Sequence, residues 1–477
     1  MLEVNNFING AFVPPQSGKF LENIGPASGK IIAKIPRSDK ADVTIAIQSA
    51  KKAFESWSKT LIEERAELLN EIADQIESNS SELAELETLD TGKPINLSKS
   101  VDIPRAAKNF RFFASAIQQF SSEFNRTSED VFNYTLRQPL GVVACISPWN
   151  LPIYLLSWKI APALAAGNTV VAKPSELTPL TADYLAKLCH SAGIPDGVLN
   201  ILHGLGGEVG QSLVEHSEVR AISFTGGTKT GKQISQSTAG SFKKLSLELG
   251  GKNANIIFSD CDIDNAVKTS VRSSFTNQGQ ICLCGSRIFI QEDMYGRFKE
   301  KFIDLVEALK EGDPKEDSTQ IGALISREHL KKVSGYVKLA KEEGGTVLTG
   351  GQRIDLNGYF FQPTVIEGLN HQCRTNQEEI FGPVVTLTPF KDEPEVIEYA
   401  NSTKYGLSAS IWTTDLNKAH RVSAKIEAGV IWVNCWLVRD LRTPFGGLKE
   451  SGVGREGGYD SLSFFTEKKN ICINIGP

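Results

Sequence analysis

The sequence predicts an α/β protein built on two parallel sheets. Three observations carry that expectation. Short apolar runs of strand length alternate with longer helical runs from Gly141 to Glu248. The same rhythm resumes near Asn253 and continues to Val433. Glycine-rich turns, His203-Gly204-Leu205-Gly206-Gly207 and Gly226-Gly227-Thr228, follow two of the strands. Strands covered by helices on both faces read as unbroken apolar runs, because neither face meets water.

Taken in order, the chain up to about residue 110 is expected to be mostly helical, with the clearest amphipathic runs at Val43–Trp57 and Ile62–Ser78. In the first, Val43, Ile47, Ala50, Phe54 and Trp57 recur at helical spacing. Strands are expected at Gly141–Ser147, Asn168–Ala172, Val198–Leu202, Ala221–Phe224 and Lys244–Glu248. Helices are expected to about Ala166, from Thr178 to about Ala192, and from Thr228. These elements place a first domain at 1–122 and 137–250 and a second α/β domain at 251–433, with 434–459 returning to the first. The stretch 123–136 interrupts the first domain, and with 460–477 it is expected to form a protruding two-stranded arm. Such a ribbon is barely stable alone, which suits pairing with another subunit.

Composition narrows the function classes. Lys and Arg number 51 against 56 Asp and Glu, a net charge of −5, so no basic stripe argues for nucleic acid. The 8 cysteines contain no CxxC pair and are spread over 477 residues, which fits neither a disulfide framework nor a zinc site. The start of the chain, MLEVNNFINGAFVPP, lacks the basic and apolar regions of a secretory signal, so a reducing, cytoplasmic setting is expected. Leu151–Gly167 is almost wholly apolar, but Lys159 and Pro162 interrupt it short of the ~20 residues that span a bilayer. It is expected to be a buried helix.

Several motifs carry chemistry. Gly226-Gly-Thr-Lys-Thr-Gly231-Lys232-Gln233 nearly spells a P-loop, but the position after the lysine needs a Mg²⁺-binding hydroxyl and holds Gln233. What survives is a strand feeding a glycine-rich turn into a helix, whose free N–H groups and positive dipole end suit a dinucleotide pyrophosphate. Gly206 and Gly207 are expected in the same crevice. Lys173-Pro-Ser-Glu176 ends the second strand, where Glu176 can accept both hydroxyls of an adenosine ribose and repel a 2′-phosphate, favouring NAD over NADP. Cys282, beside Gly279 and Gln280, is a candidate nucleophile. None of the 6 histidines sits in a recognisable protease or acyl-transfer motif, which disfavours a Cys–His hydrolase. Glu248, at a strand end before Gly250-Gly251 in an apolar setting, is a candidate general base.

Together these blocks resemble the aldehyde dehydrogenase superfamily over nearly the whole chain. The matching blocks are Thr88-Leu-Asp-Thr-Gly92-Lys-Pro94, Ser147-Pro-Trp149-Asn150, Phe224-Thr-Gly226, the Glu248 and Cys282 blocks, Glu378-Glu379-Ile-Phe381-Gly-Pro383 and Pro444-Phe-Gly446-Gly447 through Glu456. The resemblance implies a Rossmann-type NAD-binding domain, an α/β catalytic domain and a β oligomerisation arm in a homodimer or homotetramer. It implies that Cys282 attacks an aldehyde, that Asn150 and the Cys282 N–H hold the oxyanion, and that Glu248 activates water. It adds Ile146, Trp149, Glu379 and Phe381, with Lys159 nearby, to the cofactor residues Lys173, Glu176, Gly206, Gly226 and Gly227 read from the strand ends and glycine turns. One departure stands out: many relatives carry serine where this chain has Gly227.

Phe110-Arg111-Phe112-Phe113 and Trp436 through Pro444 resemble the branch that oxidises 2-aminomuconic and 2-hydroxymuconic semialdehydes. Those substrates bear carboxylates, which arginine clamps with paired hydrogen bonds. Arg111 and Arg439 are ranked above Arg442 and Arg105 for that task. A broad-specificity or betaine-type enzyme is the alternative, and a cationic substrate would want acids or an aromatic cage instead. A CoA-acylating relative would not need Glu248. A non-catalytic protein would not need Cys282, Glu248 and Asn150 together.

Overall fold

The computed structural model describes residues 1–476. Its largest sheet has eight strands. Five of them, Val142–Ile146, Thr169–Lys173, Leu199–Ile201, Val219–Thr225 and Lys244–Glu248, are the expected ones, and they run parallel. Val142–Ile146 lies in the middle. Thr169–Lys173 and then Leu199–Ile201 extend to one side, Val219–Thr225 and then Lys244–Glu248 to the other. The order therefore reverses at Val142–Ile146, and ligands of such sheets bind in the crevice outside the carboxyl ends at that point. Lys173, Thr225 and Glu248 each end a strand on that side.

The run after Asn150 forms the helix Pro152–Ala165, nearly all of it buried. Among the described residues no helix is long and apolar enough to cross a membrane. Antiparallel strands close both edges of the sheet: Asn6–Ile8 and Ala11–Val13 on one, and Gly452–Val453 against Leu247 and Glu248 on the other. A second sheet of seven strands begins at Ala254–Ile257 and ends at Val430–Val433. Only Thr346–Thr349, at its edge, runs antiparallel to its neighbour.

Two expectations need correction. The first 36 residues are not helical but form five short strands, from Leu2–Glu3 to Lys30–Pro36. Phe20–Gly25 and Lys30–Pro36 make a hairpin around a turn that contains Pro26 and Gly29, and helical periodicity begins only at Lys40. The arm is also displaced. Val131–Pro139 runs past the expected boundary at 136 and pairs along its length with Thr466–Asn474, while Gly458–Phe464 is a helix and not part of the ribbon. A third strand, Phe124–Arg126, completes it. All eight cysteines are free.

Candidate active site

Cys282 follows a strained turn. The helix Ile263–Phe275 leads into Thr276–Gly279, where Asn277 and Gln278 hold φ of 52° and 56°. Two successive non-glycine residues in the left-handed region cost on the order of 1–3 kcal/mol each and need neighbours that over-determine them. Asn277 Nδ2 donates to the Asn150 carbonyl at 3.0 Å, and Gln278 Nε2 to the Ala323 carbonyl at 2.9 Å. Beyond the turn, Asn253 Nδ2 donates to the carbonyls of Cys282 and Cys284, at 2.7 and 2.9 Å. The half-buried thiol thus sits on backbone held from both sides.

Burial pushes the Cys282 thiol well above its ordinary pKa. The charges of Glu379 and Glu248 push in the same direction, and the Arg439 guanidinium opposes them. Glu248 is itself buried, and burial raises its carboxyl well above the usual carboxylate range. Glu456 raises it further. Neither carboxylate oxygen of Glu248 has a hydrogen-bond partner among the described residues, so both are free to meet water or substrate. Gly446 explains part of this freedom: a Cβ there would lie 2.8 Å from Glu248 Oε1. Lys159 does not reach the cofactor cleft as the resemblance implied. It lies wholly buried, donating to Glu456 Oε1 at 2.7 Å and Ser223 Oγ at 3.1 Å, and its positive charge opposes the rise at Glu248.

Three neighbouring hollows share walls, two of them at the sulfur. A cleft of about 310 Å³ is lined by Ile146, Trp149, Lys173, Glu176, Gly206, Gly226 and Gly227, all expected cofactor residues. A second hollow of about 280 Å³ shares Trp149 and both glycines, and adds Asn150, Cys282, Glu379 and Phe381. A third, about 80 Å³, shares Cys282 and Leu249 with the second and is walled by Leu97, Tyr154, Trp158, Leu283, Leu437 and Phe445, with Glu248 and Arg439. Cys282 therefore stands between the cleft that holds the glycine turns and a small apolar cavity.

The first two hollows fit a dinucleotide on their own geometry. The helix Thr228–Thr238 begins at the glycine turn and offers its unpaired N–H groups. Cβ atoms placed at Gly206, Gly207 or Gly227 would meet nothing within 4 Å, so the turn leaves open space. Lys173 Nζ bonds Glu176 at 3.0 Å and orients that carboxylate at the strand end. Glu379 Oε1 accepts from the Gly251 N–H at 2.8 Å, and a Cβ at Gly250 would collide with Glu379 at 2.2 Å. Lys232, the lysine of the near P-loop, points away and pairs with Glu450 at 2.7 Å.

Sequence reasoning missed His329, which also lines the middle hollow. Its Nε2 lies 2.7 Å from the Phe381 carbonyl and its ring meets Trp149 edge-on. Burial lowers its pKa to about 4, so the ring is neutral at physiological pH. No local motif marks it, because the distant helix Arg327–Glu342 delivers it.

The substrate arginines divide differently from the expectation. Arg439 lines the apolar cavity, its guanidinium 3.8 Å from the Phe445 ring centroid. Arg111 does not reach the cavity. It lies on the outer face of the helix Ile103–Gln118 and pairs with Asp74 and Glu77 of the helix Ile62–Ser78. Arg442 is exposed and bound to Asp440 at 2.6 Å. The arginine near the cavity is Arg105, six positions before Arg111 and so roughly 240° away around the helix. Its guanidinium sits 4.9 Å from the Tyr154 ring and 5.2 Å from the Trp158 ring, both of which wall the cavity. It donates to Asn109 at 2.8 Å, and its Nη2 has no partner among the described residues. Burial, with a smaller contribution from Arg439, lowers its pKa.

Comparisons with known proteins agree with this geometry. A profile of the aldehyde dehydrogenase family matches residues 12–471. The chain is 48% identical over 481 residues to a protein of Danio rerio named 2-aminomuconic semialdehyde dehydrogenase, covering 99% of this chain and 98% of that one. It is 46% identical over 486 residues to a Pseudomonas (strain CF600) protein named 2-hydroxymuconic semialdehyde dehydrogenase, covering 100% of each. Among solved structures, the NAD⁺ complex of an aldehyde dehydrogenase from Bacillus cereus superposes with a TM-score of 0.98 at 40% identity, covering 99% of this chain and 97% of the other. The family profile spans nearly the whole chain and relatives at close to half identity cover it, so the chain belongs to the aldehyde dehydrogenase family.

Proposed function

We propose that this enzyme oxidises a carboxylate-bearing semialdehyde of the 2-aminomuconic or 2-hydroxymuconic kind, with NAD as the electron acceptor. One observation carries the substrate reading. The cavity beside Cys282 is apolar except for Glu248, Glu456, Thr225, Thr276 and Arg439, and a second guanidinium, Arg105, stands behind its aromatic wall without an acid partner among the described residues. Two cations left without a protein carboxylate suit a substrate that brings its own. A betaine-type substrate would be repelled by the same pair, whose guanidinium groups already cover the Tyr154, Trp158 and Phe445 rings, and Glu456 is already paired with Lys159.

In this reading Cys282 gives up its proton to water and adds as thiolate to the aldehyde carbon. One N–H of the Asn150 amide goes to the Gln280 carbonyl at 2.9 Å, which leaves the other for the oxyanion together with the Cys282 N–H. Residues Ile146, Trp149, Lys173, Glu176, Gly206, Gly226, Gly227, Glu379 and Phe381 would hold NAD, which when bound supplies the hydride acceptor that converts the thiohemiacetal to a thioester. Glu248 takes a proton from the water that hydrolyses this thioester, releasing the acid and restoring the thiol. Its raised pKa makes it a stronger base than an exposed glutamate.

We also assign the exposed ribbon of Val131–Pro139 and Thr466–Asn474, with Phe124 and Ile475 bare on the surface, to contact with a second copy in a homodimer or homotetramer. The free cysteines fit a reducing, cytoplasmic setting. The substrate reading is tested by NADH formation with 2-hydroxymuconic semialdehyde, succinic semialdehyde and hexanal. A kcat/KM at least ten times higher for the carboxylated aldehydes is expected, and equal values for all three reject the reading.

A further inference from the structure

The block Thr91-Gly92-Lys93-Pro94 has no part in the chemistry above, yet it places one of the largest wholly buried side chains in the molecule, Lys93, against the active site. The ammonium has three protons and meets three acceptors. It donates to Asp102 Oδ2 at 2.5 Å and to the main-chain carbonyl of Asn150 at 3.0 Å, and Glu87 Oε1 lies 3.5 Å away. Glu87 is held in turn by the Thr181 hydroxyl at 2.8 Å. The Asn150 carbonyl also accepts from Asn277 Nδ2 at 3.0 Å, so two donors fix one peptide oxygen.

This is a costly way to hold a fold together. Removing an ammonium and two carboxylates from water repays little net stability, and well-packed apolar side chains of similar volume usually serve as well. What the arrangement does supply is direction. With its carbonyl fixed from two sides, the Asn150 peptide cannot rotate, and the side-chain amide is held between the Gln280 carbonyl and the hollow that contains Cys282. Asp102 closes the π-helical turn Ser98–Asp102 that opens the helix carrying Arg105, so the same ammonium ties the amide to the substrate-facing helix. We propose that Lys93 is a positioning residue for aldehyde oxidation, acting through the main chain of Asn150 to aim its amide at the oxyanion.

The inference rests on the Cys282–Asn150 chemistry proposed above but not on a carboxylated substrate, so hexanal and succinic semialdehyde serve equally as probes. The test is Lys93→Met combined with Asp102→Asn and Glu87→Gln, which removes the ammonium together with both of its buried carboxylates and leaves no charge uncompensated. The expected result is a fall in kcat of about 10- to 100-fold with KM within about 3-fold, as for a misaimed donor. NADH affinity, read by fluorescence, and the rate of Cys282 alkylation by iodoacetamide should stay within 2-fold, because neither uses the amide. In an Asn150→Ala background the same exchange should cost less than about 3-fold, since the amide to be aimed is gone. Multiplying losses in that background, an unchanged kcat, or alkylation falling in step with kcat would each overturn the proposal. If the exchanged protein does not fold, Asn277→Ala removes the second clamp and leaves the buried ions intact. It should show the same fall in kcat with NADH affinity unchanged, and wild-type kcat there overturns the proposal. A wild-type chain that forms no NADH with either aldehyde rejects the chemistry and this inference together. Wild-type turnover with an unaffected Lys93 variant rejects the inference alone.

Discussion

The cofactor cleft and the substrate cavity meet at Cys282, but they are made of different material. The cleft is shaped by main chain: strand ends, glycine turns and a helix N-terminus, where the absence of side chains leaves room. The cavity is shaped by side chains from four separate stretches of chain, with Leu97 from one, Tyr154 and Trp158 from a second, Leu283 from a third, and Leu437, Arg439 and Phe445 from a fourth. A backbone-built site tolerates change in one residue and keeps its ligand. A side-chain-built site changes its ligand when one residue changes.

The largest test asks whether the two halves are separable. Cys282→Ala should lower aldehyde oxidation by at least about 10³-fold, as expected for loss of a nucleophile. NADH binding, read by fluorescence, should persist within about 3-fold. Loss of both together would mean that the halves form one cooperative unit and that the comparison fails. Glu248→Gln should separate the reaction in time. Acylation survives it, so a burst of NADH equal to the enzyme present should precede a steady rate about 10²- to 10⁴-fold below wild type. The absence of a burst would place Glu248 before the thioester instead.

The cavity should answer to single side chains. Arg439→Ala should lower kcat/KM for a carboxylated semialdehyde by about 10- to 100-fold and for hexanal by no more than about 3-fold, since a charge-assisted bond is worth roughly 1.5–3 kcal/mol. Arg105→Ala should follow the same pattern with a smaller loss, because Arg105 reaches the cavity through the Tyr154 and Trp158 rings. Equal losses on both substrates would reject a carboxylate clamp. Arg439→Ala has a second consequence with a definite sign. The guanidinium favours the thiolate, so removing it pushes the already raised Cys282 pKa further up. The pH profile of alkylation by iodoacetamide should therefore move to higher pH.

The unequal legibility of the two halves in the sequence has the same origin. Strand ends, glycine turns and an acid after the second strand are local signals, and they placed Lys173, Glu176, Gly206 and Gly226 in one cleft. Cys282 and Glu248 are legible because each stands in a local pattern of glycines and amides, Gly279-Gln280 before the thiol and Gly250-Gly251 after the acid. Arg111 ranks above Arg105 only by the resemblance of the Phe110-Arg111-Phe112-Phe113 block, whereas the phase of the helix decides between them: Phe110 and Phe113 face the core and Arg111 faces out. His329 was invisible for a related reason, since it belongs to the site only through a helix far along the chain. The five strands before residue 37 were missed because each spans only two to seven residues, too few for a period to register.

The cleft should answer weakly to side chains, and Gly227→Ser measures how weakly. The residue has ordinary backbone, with φ −71°, and a Cβ there meets nothing within 4 Å, so the substitution brings neither strain nor collision. A hydroxyl at the helix start adds one neutral donor to a site already served by main-chain N–H groups. Such a bond is worth about 0.5–1.5 kcal/mol, so the KM for NAD should fall by about 2- to 10-fold while kcat stays put. A larger gain would show that side chains govern this half as well.

The smallest expected effect is the sharpest check on the cavity's boundary. Arg111 shares a helix with Arg105 and carries the same charge, so a diffuse electrostatic pull on anionic substrates would involve both. The structure instead binds Arg111 to Asp74 and Glu77 at the surface, where its charge is matched and water screens it. Arg111→Ala should then change kcat/KM by less than about 2-fold on carboxylated and neutral aldehydes alike, and exposed ion pairs of this kind contribute only about 0–1 kcal/mol to stability. A selective loss on the carboxylated substrate would extend the clamp to the outer face of the helix. It would also show that specificity here comes from the field of the whole surface and not from two guanidinium groups beside one sulfur.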